Sequence, residues 1–143
     1  MTHPRSTTRA TVERLLAVIA TADHDALTTL YANHVDFRVN WPESEIGGAV
    51  PWIRTRATNS DMVEHFRAIV AHNRPSGEGA TVDRILVDGP DAVVLGTIRS
   101  VIAANGRAYE ARFALHLTVE GGRINRHHVY EDSLAVWRAW SAT

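Results

Sequence analysis

The stretch from Ala92 to Asp132 constrains this chain more than any other. Two long apolar-rich runs flank Asn105-Gly106. That dipeptide accepts positive φ and so closes tight hairpins between right-twisted strands. Gly121-Gly122 ends the second run, and Arg123–Tyr130 follows as a third. The pattern predicts a meander of three antiparallel strands. In the second run Phe113, Leu115, Leu117 and Val119 alternate with Arg112, Ala114, His116 and Thr118. This is the two-residue period of a strand with one buried face.

The rest of the chain reads as supports for that meander. Residues 1–7 are expected to be a flexible tail, and 8–143 a single domain. Val12, Leu15, Leu16 and Ile19 recur at helical spacing from Thr7 or Thr8. Asp23 and Asp25 are placed to cap a second helix burying Leu27, Leu30 and Tyr31, ending at Asn33-His34. Val35–Trp41 reads as a strand, with Phe37, Val39 and Trp41 on one side, stopped by Pro42. WPESEIGGAVPW follows as a loop bracketed by Trp41 and Trp52, which would wall a flat apolar ligand or plug the core. Ser60-Asp61 is expected to cap a helix burying Met62, Val63, Phe66, Ile69 and Val70, with Asn73–Gly77 as its terminating turn. Ala80–Val87 is the next strand. Asp132-Ser133 opens a closing helix that buries Leu134, Val136, Trp137 and Trp140. Long antiparallel strands with helices on one side make an α+β domain, and a curved sheet around helices leaves a cone-shaped pocket.

Composition excludes several classes of function. The chain has 143 residues, 45% hydrophobic and 22% charged, enough for one core. Its formal net charge is −1 and all 15 of its basic residues are arginine, dispersed along the chain, so no nucleic-acid partner is expected. Cysteine is absent, which removes thiolate nucleophiles, disulfides and Cys-ligated metals. No signal peptide and no membrane-spanning run are expected, and the location read from this is cytoplasmic. Phosphate-binding, dinucleotide and G-x-S-x-G motifs are missing. His65 and His72 stand two helical turns apart, and His127-His128 alternate across a strand, so neither pair makes a metal site. No cofactor and no metal are expected.

GGRINRHHVYEDSLAVWRAW, residues 121–140, resembles the closing signature of the nuclear transport factor 2-like (NTF2-like) superfamily. YANHVDFRVNWPE, residues 31–43, is similar to its first helix-to-strand passage. The resemblance covers roughly residues 8–140 and is nearest the SnoaL-like and ketosteroid isomerase-like branch. It implies a cystatin-like cone: a curved antiparallel sheet wrapped around helices, dimerising through its outer face. It also implies activities such as isomerisation, polyketide cyclisation, epoxide hydrolysis and dehydration, or binding without catalysis. Catalytic residues known in relatives do not carry over: a carboxylate falls at Val129, a paired Arg and Asp near Ile98 and Ser100, a base at Asn40 or Trp41, and a second acid near Ala114.

Histidines are then the candidates for chemistry. His127 shares strand parity with Val129, which matches a pocket-facing position of the relatives, so the resemblance points His127 inward. As a proton shuttle it would take Asp36 or Glu110 as carboxylate partner, with Tyr31 and Tyr130 as donors to a developing enolate oxygen. Trp41, Trp52, Phe66, His116 and Val129 complete the expected pocket. The reading is a cofactor-free cyclase, isomerase or dehydratase acting on a small apolar or aromatic carbonyl compound, most plainly a homodimer. The alternative is a non-catalytic small-molecule binding or protein-interaction module.

Overall fold

The computed structural model describes residues 4–42 and 49–142. Helix α1 (Pro4–Thr21) starts with a proline, which needs no N–H partner in a first turn. It is already helical from Pro4, inside the stretch expected to be a tail. Val12 and Leu15 are fully buried, and Thr8 Oγ1 donates to the Gly89 carbonyl at 2.8 Å, fixing the helix to a hairpin turn. A 3-10 turn (His24–Ala26) and one turn of helix, α2 (Leu27–Leu30), follow. Tyr31 was expected in that helix but opens strand β1 (Tyr31–Val39). A single helical turn has too few bonds to extend itself, and pairing with the last strand captures the chain at Tyr31.

Trp41 and Trp52 are both buried, while residues 43–48 of the loop between them lie outside the described residues. Strand β2 (Arg56–Thr58) then leads into helix α3 (Asn59–His72). Its N-cap is Thr58, not Ser60. The Thr58 hydroxyl accepts from the Asp61 backbone N–H, and Asp61 accepts from that of Thr58, a complete capping box two residues before the expected cap. The helix buries Met62, Val63, His65 and Phe66; Val70 is 56% exposed, so the apolar stripe turns one position earlier than expected. Asn73–Pro75 is a short strand, β3, rather than a free turn, because it pairs with Ser100–Ile102.

The remaining elements are β4 (Thr81–Asp88), β5 (Asp91–Ile102), β6 (Ala108–Glu120), β7 (Arg123–Glu131) and α4 (Ser133–Ser141). Asp132 caps α4 by accepting from Ala135 N, while Leu134 is 53% exposed against expectation. The meander β5-β6-β7 is as its turns predict. The sheet runs β2-β1-β7-β6-β5, with β3 and β4 both on the far side of β5. Every pairing among the described residues is antiparallel except β1 with β7, which is parallel, so the sheet is mixed. Side-chain alternation reports which face is buried and not the direction of the neighbouring strand, so the sequence could not show this. The fold is α+β: a curved, unclosed sheet with its helices against the inner face.

Cross-strand register sorts the side chains. Phe37 and Val39 of β1, Leu117, Leu115 and Phe113 of β6, and His127, Val129 and Glu131 of β7 share the inner face. Asp36, His116, His128 and Tyr130 belong to the outer one. An extra residue in β7, Asn125, lets Ile124 and His127 both point inward across the shift in register.

Candidate active site on the inner face of the sheet

The inner face has a closed end and an open end. At the closed end Tyr31, Phe37, Leu117 and His127 have at most 2% of their surface exposed. Farther along the same strands Phe113, Leu115, Val129 and Glu131 are only partly buried. The inner face is therefore packed shut at the first end and less covered toward the ends of β1 and β7.

The closed end is an aromatic and imidazole cluster. The Tyr31 hydroxyl and His127 Nδ1 share a hydrogen bond of 2.8 Å, with the two rings stacked nearly parallel at 6.0 Å. Phe37 meets His127 edge-on at 5.2 Å and lies 4.5 Å from His65. Phe66 lies 5.0 Å from His65 and 6.4 Å from His127. Burial pushes His127 down to about 3, the neighbouring His128 adding to the effect. Burial likewise pushes His65 to about 3, aided by His127 and Arg56 and opposed by a backbone hydrogen bond to Trp52. Burial also raises the Tyr31 hydroxyl. All three groups are neutral near pH 7.

The open end holds a carboxyl group. Trp41 Nε1–H donates to Glu131 Oε1 at 2.8 Å, and the Glu131 backbone N–H donates to Asn40 Oδ1 at 3.0 Å. Burial raises the Glu131 carboxyl above the usual range, Asp132 adds to the rise, and the Trp41 indole opposes it. Nearby, the Tyr109 hydroxyl donates to Asn73 Oδ1 at 2.8 Å and is pushed up to about 12 by burial, with Glu131 contributing. Trp52, His72 and Trp140 pack together, Trp52 edge-on to Trp140 at 5.5 Å.

The expected site residues divide between the two faces. Tyr31 and His127 are brought together, and Trp41, Trp52, Phe66 and Val129 lie on the inner side. Asp36 and Glu110 do not reach His127. Asp36 accepts from His128 Nε2 at 3.0 Å on the outer face, and Glu110 pairs with Arg99 at 3.3 Å, also outside. His116 is not in the pocket either: it pairs with Asp91 at 2.9 Å on the outer face. Tyr130 is 49% exposed there. An open groove of about 670 Å³ on that side is lined by Asp36, Asp91, Thr118 and Arg126, its two aspartates held by the histidines. Two inner residues escaped the sequence reading. Glu131 follows His127 and Val129 at alternate positions, one residue beyond the expected strand end at Tyr130. His65 enters the sequence analysis only as half of a pair too widely spaced for a metal. Among the described residues no group of His, Asp and Glu is arranged to hold a metal, and no helix is long and apolar enough to cross a membrane.

A curved, unclosed α+β sheet with a partly polar inner face defines a class, and solved NTF2-like structures share it. An NTF2-like protein of unknown function from Burkholderia pseudomallei superposes with a TM-score of 0.80 at 20% identity, covering 96% of this chain and 99% of its own. An LEH-like epoxide hydrolase from M. tuberculosis gives 0.73 at 14%, covering 98% and 89%. A candidate SnoaL-like polyketide cyclase from Jannaschia sp. CCS1 gives 0.76 at 15%, covering 100% and 97%. No curated protein matches the sequence. Residues 12–127 match the model of the SnoaL-like domain, and the chain belongs to that family.

Proposed function

We propose that this protein is a cofactor-free acid–base enzyme of small-molecule metabolism, acting on a carbonyl-containing ring compound. The observation that carries the reading is Glu131: an inner-face carboxyl at the open end, held by an indole N–H and raised by burial. A carboxyl shifted toward neutral pH is a stronger base when ionised and keeps an acid form to return the proton. Glu131 would remove the proton beside the carbonyl, leaving the electron pair in an enolate. From an unsaturated ketone, returning the proton at the far carbon of the dienolate moves the double bond; attack of the enolate carbon on a second carbonyl closes a ring, and the alkoxide formed takes the proton back from Glu131. Strand parity in the sequence points to His127 for this role. With a pKa near 3 that imidazole is a weak base at neutral pH, and we assign it with Tyr31 to a neutral hydrogen-bonding pair at the closed end.

The test is exchange of deuterium from solvent into the position beside the carbonyl, followed by NMR across a panel of cyclic ketones and diketones. The parent accelerates exchange for at least one member, and Glu131→Gln, which keeps the shape and an acceptor for Trp41, lowers the rate by roughly 10²–10⁴-fold. A second reading, binding without catalysis, is supported by the identity of His127's partner, which is the Tyr31 hydroxyl and not a carboxylate. Ligand binding without exchange in the parent would favour it. The proposal extends to a homodimer formed through the outer sheet face, where Leu86, Val93, Leu95, Ala114 and Tyr130 stand on adjoining strands.

A further inference from the structure

Glu131 is held by two residues that lie just past the end of β1. Val39 is the last residue of that strand and pairs with Val129. The Asn40 backbone N–H still donates to the Val129 carbonyl at 3.0 Å. Parallel strands bond at even spacing, so the next bond would run from the Glu131 N–H to the Asn40 carbonyl. The chain makes a different one. The Trp41 N–H turns back to the Val39 carbonyl at 2.8 Å, and the Glu131 N–H donates to Asn40 Oδ1 at 3.0 Å. A side-chain oxygen has replaced its own main-chain acceptor where β1 leaves the sheet.

No other strand can serve that N–H. On the far side of β7 the Asp132 N–H donates to the Arg112 carbonyl of β6, so the Glu131 N–H, one residue earlier, points across to β1. Asn40 is exposed, and water can replace its oxygen at little cost in stability. What water does not supply is a fixed direction. Trp41 is buried and donates from its indole to Glu131 Oε1 at 2.8 Å. Two successive residues therefore hold Glu131 at two points, its main chain and its carboxyl. The residue type fits the task. Asparagine and aspartate both carry an acceptor at this reach, but aspartate would set a second negative charge beside the carboxyl.

We propose that Asn40 is a positioning residue for Glu131: its side-chain oxygen fixes the main chain of β7 at the end of the parallel seam, so that the carboxyl stays against the Trp41 indole. The inference rests on reading Glu131 as the proton-transfer group. A general base acts only within hydrogen-bond reach of the proton it takes, so a peptide free to rotate would lower the rate without changing the base itself.

The test follows the indole N–H signals of the four tryptophans by NMR, with that of Trp41 identified by its loss in Trp41→Phe. In the parent this signal moves with pH as Glu131 ionises, and the movement is absent in Glu131→Gln. Asn40→Ala is expected to fold, to lose roughly half or more of the movement, and to exchange the Glu131 amide hydrogen about tenfold faster. Asn40→Asp, which keeps the acceptor, returns that amide to the parent's rate. Unchanged movement in Asn40→Ala overturns the proposal even if the amide exchanges faster, and so does a parent whose Trp41 signal does not follow Glu131. If Asn40→Ala fails to fold, Asn40→Gln decides, because its oxygen lies one methylene farther out: movement like the parent's there overturns the proposal. On a ketone that the parent deuterates, Asn40→Ala lowers kcat and leaves KM; a raised KM with kcat unchanged overturns the proposal. The NMR signals need no substrate. A parent that shows them and deuterates no ketone removes the reading of Glu131 as a base, whereas a parent that deuterates ketones no faster than Asn40→Ala removes only the role of Asn40.

Discussion

His65 and His127 make the molecule sensitive to acid. Both imidazoles sit near pKa 3 when folded and near 6.5 when exposed, so the unfolded chain binds more protons between those values. Their folded-state pKa is depressed, and their contribution is fully present above about pH 6.5 and is lost as pH falls toward 3. Asp36, Asp61 and Asp91, held low by their hydrogen-bond partners, lose stabilisation over the acid end of the same range. At about pH 4.5 each imidazole is expected to withdraw on the order of 2–3 kcal/mol. Thermal melts from pH 7.5 to 4.5 check this: the parent falls steeply below pH 6, and His65→Leu falls less. Equal slopes would show that His65 is not buried as a neutral ring. At this scale the sequence showed part of the site. Alternation put His127 and Val129 on one face. It could not give His127 its partner, because that depended on how β1 lies beside β7, and Asp36 met His128 instead.

Among the elements, the meander was legible because its turns are written locally: Asn105-Gly106 and Gly121-Gly122 stand where the strands reverse, with both Gly106 and Gly122 at positive φ. The pieces that were misplaced depend on distant partners. Tyr31 left a predicted helix for a strand, and Asn73–Pro75 left a predicted turn for one, each because another strand supplied hydrogen bonds. Gly96 is a close-packing position of the same long-range kind. A Cβ there would lie against the Thr81 carbonyl and 2.6 Å from the Phe113 ring. Gly96→Ala must move β4 or that ring, and a loss of about 1–3 kcal/mol is expected in urea unfolding. A variant as stable as the parent would mean that Phe113 turns aside freely.

For the molecule as a whole, the proposed assembly uses the outer face of the sheet. Leu86 is 47% and Tyr130 49% exposed there, on strands whose other outward residues are mixed apolar and charged. Sedimentation at micromolar concentration is expected to give twice the 15.8 kDa of the chain; monomer alone would remove the proposed dimer. Within one chain, the parallel pairing of β1 with β7 has a further consequence. It joins strands that begin at Tyr31 and Arg123, and both polar pairs of the inner face straddle that seam: Tyr31 with His127, and Trp41 with Glu131. A ribosome releasing the chain from its N-terminus has exposed β1, helices α1 to α3 and most of the meander before the seam can close. Loop-closure entropy must be met across roughly 90 residues, which slows the closing of this pairing relative to the local hairpins. Until then β1 offers a bare edge to any other strand, and neither polar pair of the inner face has formed.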